Sequence, residues 1–237
     1  MAHFISLSDC STLAISASKE AGAFVGWDLA HAAGNIELNL NDWNVDFASW
    51  CSYKYINSGP GNAAGIYVNE KHCNNTDLPR FAGWWGHDKS TRFLMEKGFH
   101  PMKTAEAWQM SNAPVLTMAA HKAAIDIFDE VGMEKLLKKQ KLISGYLEFI
   151  VDDVNSTLTE EGKSLEIITP RNWDERGCQV SVIAHGYGKA LFDTLTEEGV
   201  ISDWREPNAI RMAPIPLYTS YEDIYRFGEI LKKAIHN

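Results

Sequence analysis

Two apolar runs that each stop at a charged residue before a turn constrain this chain more than any other feature. Ala23-Phe24-Val25-Gly26-Trp27 stops at Asp28, and Phe47-Ala48-Ser49-Trp50-Cys51 is followed by Tyr53-Lys54 and then by Asn57-Ser58-Gly59-Pro60-Gly61. Short apolar runs bounded by Gly and Pro predict buried strands. Lys54 is the single lysine of the stretch 22–65. Ligands of open parallel sheets bind beyond the carboxyl ends of the strands, so Asp28 and Lys54 are expected to face one crevice.

Such a pair suits pyridoxal phosphate. The lysine bonds to the cofactor's aldehyde carbon, and the aspartate keeps the pyridine nitrogen protonated so that the ring can draw electrons. His31 follows Asp28 by three residues and would lean over the carboxylate or the ring oxygen if a helical turn begins there. Tyr53 offers a hydroxyl for the phosphate. Each residue has a plainer reading: a strand-end lysine is commonly a solvated charge, and Asp-x-x-His is commonly a helix cap. Their order and matching contexts raise the cofactor site to a level with the plainer reading, and the pattern alone leaves both open.

Bulk properties bound the alternatives. A chain of 237 residues is long enough for one large or two modest domains. With 22 basic against 31 acidic residues its net charge is -9, which argues against a nucleic-acid surface. The four cysteines show no C-x-x-C spacing, so a reduced, cytoplasmic setting is expected. His72-Cys73 with His87 fits no zinc spacing, and no metal is expected. No apolar run approaches the ~18 residues of a membrane span. The segment 1–18 lacks a basic region and carries Asp9, so it reads as neither a signal nor a transit peptide.

Taken in order, residues 1–20 read as a Ser-rich lead-in ending in a helical turn around Ser18, with no chemistry assigned. Strands are predicted over 24–28, 46–51 and 63–68, and amphipathic helices over 115–129 and 133–154 with Gly132 between them. After a polar linker over 155–164 the pattern predicts strands over 165–169, 178–185, 200–204 and 210–213. Helices are predicted over 189–198 and 221–235, the last with Ser220 and Asp223 as a near capping box. The segment 80–93, RFAGWWGHDKSTRF, is too aromatic for an idle loop and is either a core plug or part of a site. Asn112 is either a site residue or an N-cap, with Pro114 in a first turn. Arg211 interrupts an apolar run, either as a two-pronged clamp for a carboxylate or in a structural salt bridge.

FVGWDLAHAAGN, DWNVDFASWCSYKYINSGPG, GWWGHDKSTRF, MSNAPV, ITPRNWDERGCQVS and NAIRMAPIPLYTSYEDIYRF, in this order, resemble the carboxyl-terminal half of the kynureninase family. The resemblance runs from about Gly22 to the end. It implies an α/β fold: part of a fold-type I, aminotransferase-like large domain over 1–112, connecting helices over 113–154, and a small α/β domain over 155–237. It further implies pyridoxal phosphate held by Asp28, His31, Tyr53, Lys54, Trp84 and Asn112. Lys54 and Tyr53 would be catalytic, and Arg211 and Trp85 would bind substrate, Arg211 at its α-carboxylate.

The activity implied is hydrolysis of L-kynurenine or 3-hydroxykynurenine to anthranilate or 3-hydroxyanthranilate and L-alanine, in tryptophan catabolism and NAD biosynthesis, by a homodimer. One departure is serious. Family subunits are about twice as long, and no Gly/Ser/Thr phosphate loop is found here. The competing expectation is a truncated, non-catalytic relative that acts as a fragment or dimer partner of a longer homologue.

Overall fold

In the computed structural model, which describes residues 10–236, the two charged-ended runs are neighbouring strands. β1 (Gly26–Asp28) pairs in parallel with β2 (Phe47–Cys51), Asp28 opposite Ser49. β3 (Ala64–Val68) returns antiparallel along the other side of β2. The expected parallel sheet is therefore mixed. The reason is the connection: residues 52–63 fold back on themselves, with the Ser52 N–H on the Ala63 carbonyl at 3.2 Å, instead of forming the crossover, usually helical, that another parallel strand needs. Side chains alternate across the sheet, and Trp27, Ala48, Trp50 and Tyr67 turn to one face, where they pack with Leu29, Ala32, Ile36, Leu38 and Leu40.

The lead-in carries more structure than its sequence suggests. Helix α1 (Cys10–Glu20) carries Lys19 in its last turn, and the Lys19 ammonium lies 2.8 Å from the carboxylate of Asp46. Asp46 is 3% exposed, immediately before β2. It also accepts the Val25 N–H at 2.8 Å and meets Lys71 at 2.8 Å and His72 Nε2 at 2.7 Å. Lys71 and His72 lie on the short helix α2 (Glu70–Cys73), whose N-cap Asn69 accepts the Lys71 N–H. One buried carboxylate thus ties α1, the entry to β1, the entry to β2 and α2 together.

Among the described residues, 10–130 form one unit and 131–236 a second. Of the two helices expected to connect the domains, α3 (Val115–Val131) lies in the first unit but for its last residue, and α4 (Met133–Ser156) lies in the second. Pro114 precedes α3 at the cap position, its carbonyl accepting the Met118 N–H at 3.0 Å, rather than standing inside the first turn. Ala124, Ile125 and Phe128 of α3 pack with Ala33, Ile56 and Trp50.

The second unit is a four-stranded antiparallel sheet in the order β4-β5-β7-β6, formed by β4 (Ser164–Ile167), β5 (Val180–His185), β6 (Asp203–Arg205) and β7 (Ala209–Met212). Helices α4, α5 (Lys189–Glu197) and α6 (Tyr221–His236) complete its core. The strand expected over 200–204 starts at Asp203, because the Val200 N–H is used by Leu195 to close the end of α5. On α6, Ile224, Phe227, Leu231 and Ile235 recur at helical spacing. Gly228 lets Ile150 of α4 approach so closely that a Cβ there would lie 2.9 Å from its Cγ2.

Candidate functional site

Asp28 is the last residue of β1, and its exposed carboxylate accepts the Ala30 N–H at 2.9 Å. A helical turn follows at once, with the N–H groups of Ala32 and Ala33 on the Leu29 carbonyl at 2.9 and 3.0 Å. This is the turn in which His31 was expected. Its imidazole meets the ring of Tyr55 edge-on, the centroids 6.3 Å apart. Lys54 lies three residues beyond β2, half-buried, with its ammonium 6.0 Å from the centre of the Tyr53 ring.

Three contacts hold the two strand ends against each other. The Cys51 thiol reaches the Ala30 carbonyl at 3.6 Å. His31 touches Tyr55, as above. Gly34 packs so tightly that a Cβ would fall 2.8 Å from the Tyr55 carbonyl oxygen, and its φ of +81° also calls for glycine. The segment carrying Asp28 and His31 therefore abuts the segment carrying Tyr53 and Lys54, as their strand contexts predict.

The lysine loop is fixed from beneath by residues that pattern reasoning passed over. Ser52 and Ser58 are both buried. The Ser58 hydroxyl donates to Ser52 Oγ at 2.6 Å, and Ser52 Oγ is hydrogen-bonded to the Ala63 carbonyl. The Ser58 N–H reaches the Ser52 carbonyl at 3.1 Å. Asn57 at the crest has φ 60° and Gly59 φ 96°, left-handed conformations that let the chain reverse. A serine at each end of the seven-residue excursion 52–58 is the one signal that could have been read. The Tyr53 phenol is raised above its usual range, chiefly by its hydrogen bond with the Cys51 thiol.

The aromatic segment is a clasp. Trp84, Trp85 and Gly86 form a 3-10 turn that lies against the turn Ala105–Trp108 and the residues after it. The Trp85 N–H reaches the Met110 carbonyl at 3.4 Å, and a Cβ on Gly83 would sit 2.1 Å from Met110 Cα. Arg92, which sequence reasoning did not single out, holds both tryptophans. Its carbonyl accepts the Trp84 indole N–H at 3.2 Å, its guanidinium lies 4.4 Å from the centre of the Trp85 ring, and Nη2 donates to the Trp85 carbonyl at 2.7 Å. Beside the clasp is a shallow cavity of about 390 Å³, lined in part by Trp84, His87, Arg92 and Phe99. Asn112 follows on an exposed stretch just before α3.

Arg211 belongs to the second unit. It stands on β7 opposite Ser181 of β5 and Asp203 of β6, and its guanidinium is paired with Asp203, which Arg205 also reaches at 2.8 Å. The salt bridge read as one alternative for Arg211 is thus present. His72, discounted as a metal ligand, is engaged by Asp46, and Cys73 is buried. Among the described residues, no helix is long and apolar enough to cross a membrane.

The residues at the two strand ends fit pyridoxal phosphate. The Lys54 amine forms neither an ion pair nor a hydrogen bond among the described residues, leaving it open to a carbonyl carbon. An exposed carboxylate stands at the neighbouring strand end to meet a protonated ring nitrogen.

Comparisons with known proteins bear on the same residues. Residues 138–231 match the family described as kynureninase C-terminal domain. The chain is 60% identical to a kynureninase of Flavobacterium johnsoniae over 93% of its own length and 51% of that protein's. It is 43% identical to a kynureninase of Nematostella vectensis over 95% of its own length and 50% of that protein's. Among solved structures, a cysteine desulfurase from Thermococcus onnurineus superposes with a TM-score of 0.74 at 16% identity, covering 95% of this chain and 56% of the other. An alanine–glyoxylate aminotransferase from Nostoc sp. gives 0.68 at 16% identity, over 94% and 56%. These likenesses establish the fold-type I α/β architecture. They also correct one expectation. The chain spans about half the length of the relatives it matches, so the reading of these 237 residues as a self-sufficient hydrolase of kynurenines is overturned.

Proposed function

We propose, from the premise that this chain is homologous to the kynureninases over about half of their length, that it supplies the lysine-bearing half of a pyridoxal-phosphate fold. In this reading it is not a catalyst by itself and acts as a fragment or dimer partner of a longer relative. The observation that carries the proposal is a pairing of opposites: the strand ends bearing Asp28 and Lys54 are held together by close contacts, yet the matched relatives contain about as much chain again.

Pyridoxal phosphate, when bound, supplies an electron sink beside the substrate's α-carbon. Lys54 would hold it through Nζ, and Asp28 would keep a proton on the ring nitrogen. His31, on the turn after Asp28, would orient that carboxylate. Tyr53, Trp84 and Asn112 would contact the cofactor, with Tyr53 also able to move a proton through its hydroxyl. Trp85 would lie near a substrate's ring, and Arg211, on the second unit, would exchange Asp203 for a carboxylate. The remaining phosphate contacts would come from the partner.

Borohydride reduction after mixing with pyridoxal phosphate, read by peptide mass spectrometry, tests the reading. Cofactor is expected on Lys54, with none retained by Lys54→Ala. The chain alone is expected to release no anthranilate from L-kynurenine. Turnover by the chain alone, or labelling spread evenly over surface lysines, would contradict the proposal.

A further inference from the structure

We infer that the open face and free edges of the β1–β2–β3 sheet dock a polypeptide carrying the half of the family's length that this chain does not match. The inference rests on the reading above and names the surface it requires.

The sheet register sets two side-chain rows across the strands: Gly26, Phe47 and Val68, then Asp28, Ser49 and Ile66. Alternation sends Ala48, 1% exposed, into the packed face and leaves Phe47 51% and Ile66 48% exposed on the other. Gly26 makes room for Phe47, whose ring lies where a Cβ would be 2.1 Å from its Cζ. The phenyl therefore lies over β1 at Gly26, on the uncovered side. Among the described residues β1 and β3 each pair only with β2, so both edges carry unpaired N–H and C=O groups.

A second copy of this chain does not meet these needs. It brings the same three strands and the same bare row: edge-to-edge pairing leaves the face open, and face-to-face packing leaves the edges unpaired. The occupant must extend two edges and lay an apolar layer over Phe47 and Ile66 at once. The unmatched half of the relatives has the length to do so: this chain matches only 51% of the Flavobacterium johnsoniae kynureninase.

The test co-expresses the tagged chain with the part of that kynureninase to which it does not align. Complex formation is followed by light scattering on a sizing column, and amide exchange is compared in the free and bound chain. A one-to-one complex is expected, with exchange slowed in β1 and β3. Phe47→Asp and Ile66→Asp are each expected to weaken it at least about tenfold, because each buries an unpaired charge. Ile201→Asp, at a fully exposed position of the second unit, is expected to leave it unchanged. Unaltered exchange in α3 and around Ala48 on the packed face of the free variants verifies that their first unit folds.

A complex indifferent to both sheet substitutions overturns this surface while leaving the partner reading intact. Failure to associate with either the half or the full-length relative overturns both. Self-association of the chain that Phe47→Asp abolishes overturns the choice of occupant.

Discussion

Asp46 is the residue on which the first unit's architecture turns. Burial alone would raise its pKa, but donors from Lys19, Lys71, His72 and the Val25 N–H outweigh that cost and hold the carboxyl far below its ordinary value of 3.8. Removing one member of a buried ion pair costs about 3–5 kcal/mol. Lys19 and Lys71 retain access to water, so Asp46→Asn is expected to destabilise the first unit by about 3 kcal/mol, the low end of that range. The sign of the pH dependence follows from the depressed pKa. The contribution is complete above 3.8 and is lost as pH falls from there toward the folded-state value. Urea unfolding of the chain and of Asp46→Asn is therefore expected to differ at neutral pH and to converge in acid. A difference that persists undiminished in acid would refute the assignment. Nothing local marks this aspartate, since Lys19 and His72 lie 27 and 26 residues away in the chain. Asp28 and Lys54 were legible because each stands at the end of an apolar run, where strand grammar alone fixes its position.

At the scale of elements, legibility followed periodicity. The helices from Val115 onward and the alternating strand β5 were read within a few residues, and the Ser220–Asp223 box caps α6 reciprocally, with the Asp223 N–H on Ser220 Oγ at 3.1 Å and the Ser220 N–H on Asp223 at 2.8 Å. The direction of β3 was not legible, because a run of five residues, AGIYV, is too short to separate the continuous pattern of parallel strands from the alternation of antiparallel ones. Nor was the clasp, whose two turns meet through backbone at Gly83 and Gly86 rather than through a repeating stripe. That close approach gives an element-level prediction. A Cβ on Gly83 would meet the Met110 backbone at 2.1 to 2.6 Å, and on Gly86 the Ala107 carbonyl at 2.6 Å. Backbone cannot swing aside as a flexible side chain can, so Gly83→Ala is expected to part the turns at a cost of about 1–3 kcal/mol. Near-ultraviolet circular dichroism should report it as a loss of the tryptophan signal with helix content unchanged. Arg92→Lys keeps the charge but not the planar stack on Trp85, and is expected to weaken the same signal partially.

Across the whole molecule the two units are unequally finished. The second closes a continuous core from Leu147 on α4 to Ile235 on α6, with β5 and β7 in its middle. The first gathers two small clusters around Ala48 and Ile56 on one face of its sheet, while Phe47 and Ile66 stay in contact with water. Apolar burial contributes about 25 cal/mol per Å², and a sheet packed on a single face forgoes that contribution on the other. The chain should therefore unfold in two steps. In urea, amides of β1, β2 and β3 are expected to lose protection first, and those of α4, β5 and α6 at distinctly higher concentration. One shared transition for both sets would mean that the first unit draws its stability from the second rather than lacking a cover. If the cover is what is missing, a bound partner should raise the lower transition in proportion to the logarithm of its concentration and leave the upper one where it was. A ligand of the second unit would do the reverse, so the transition that moves identifies the half of the chain that the partner completes.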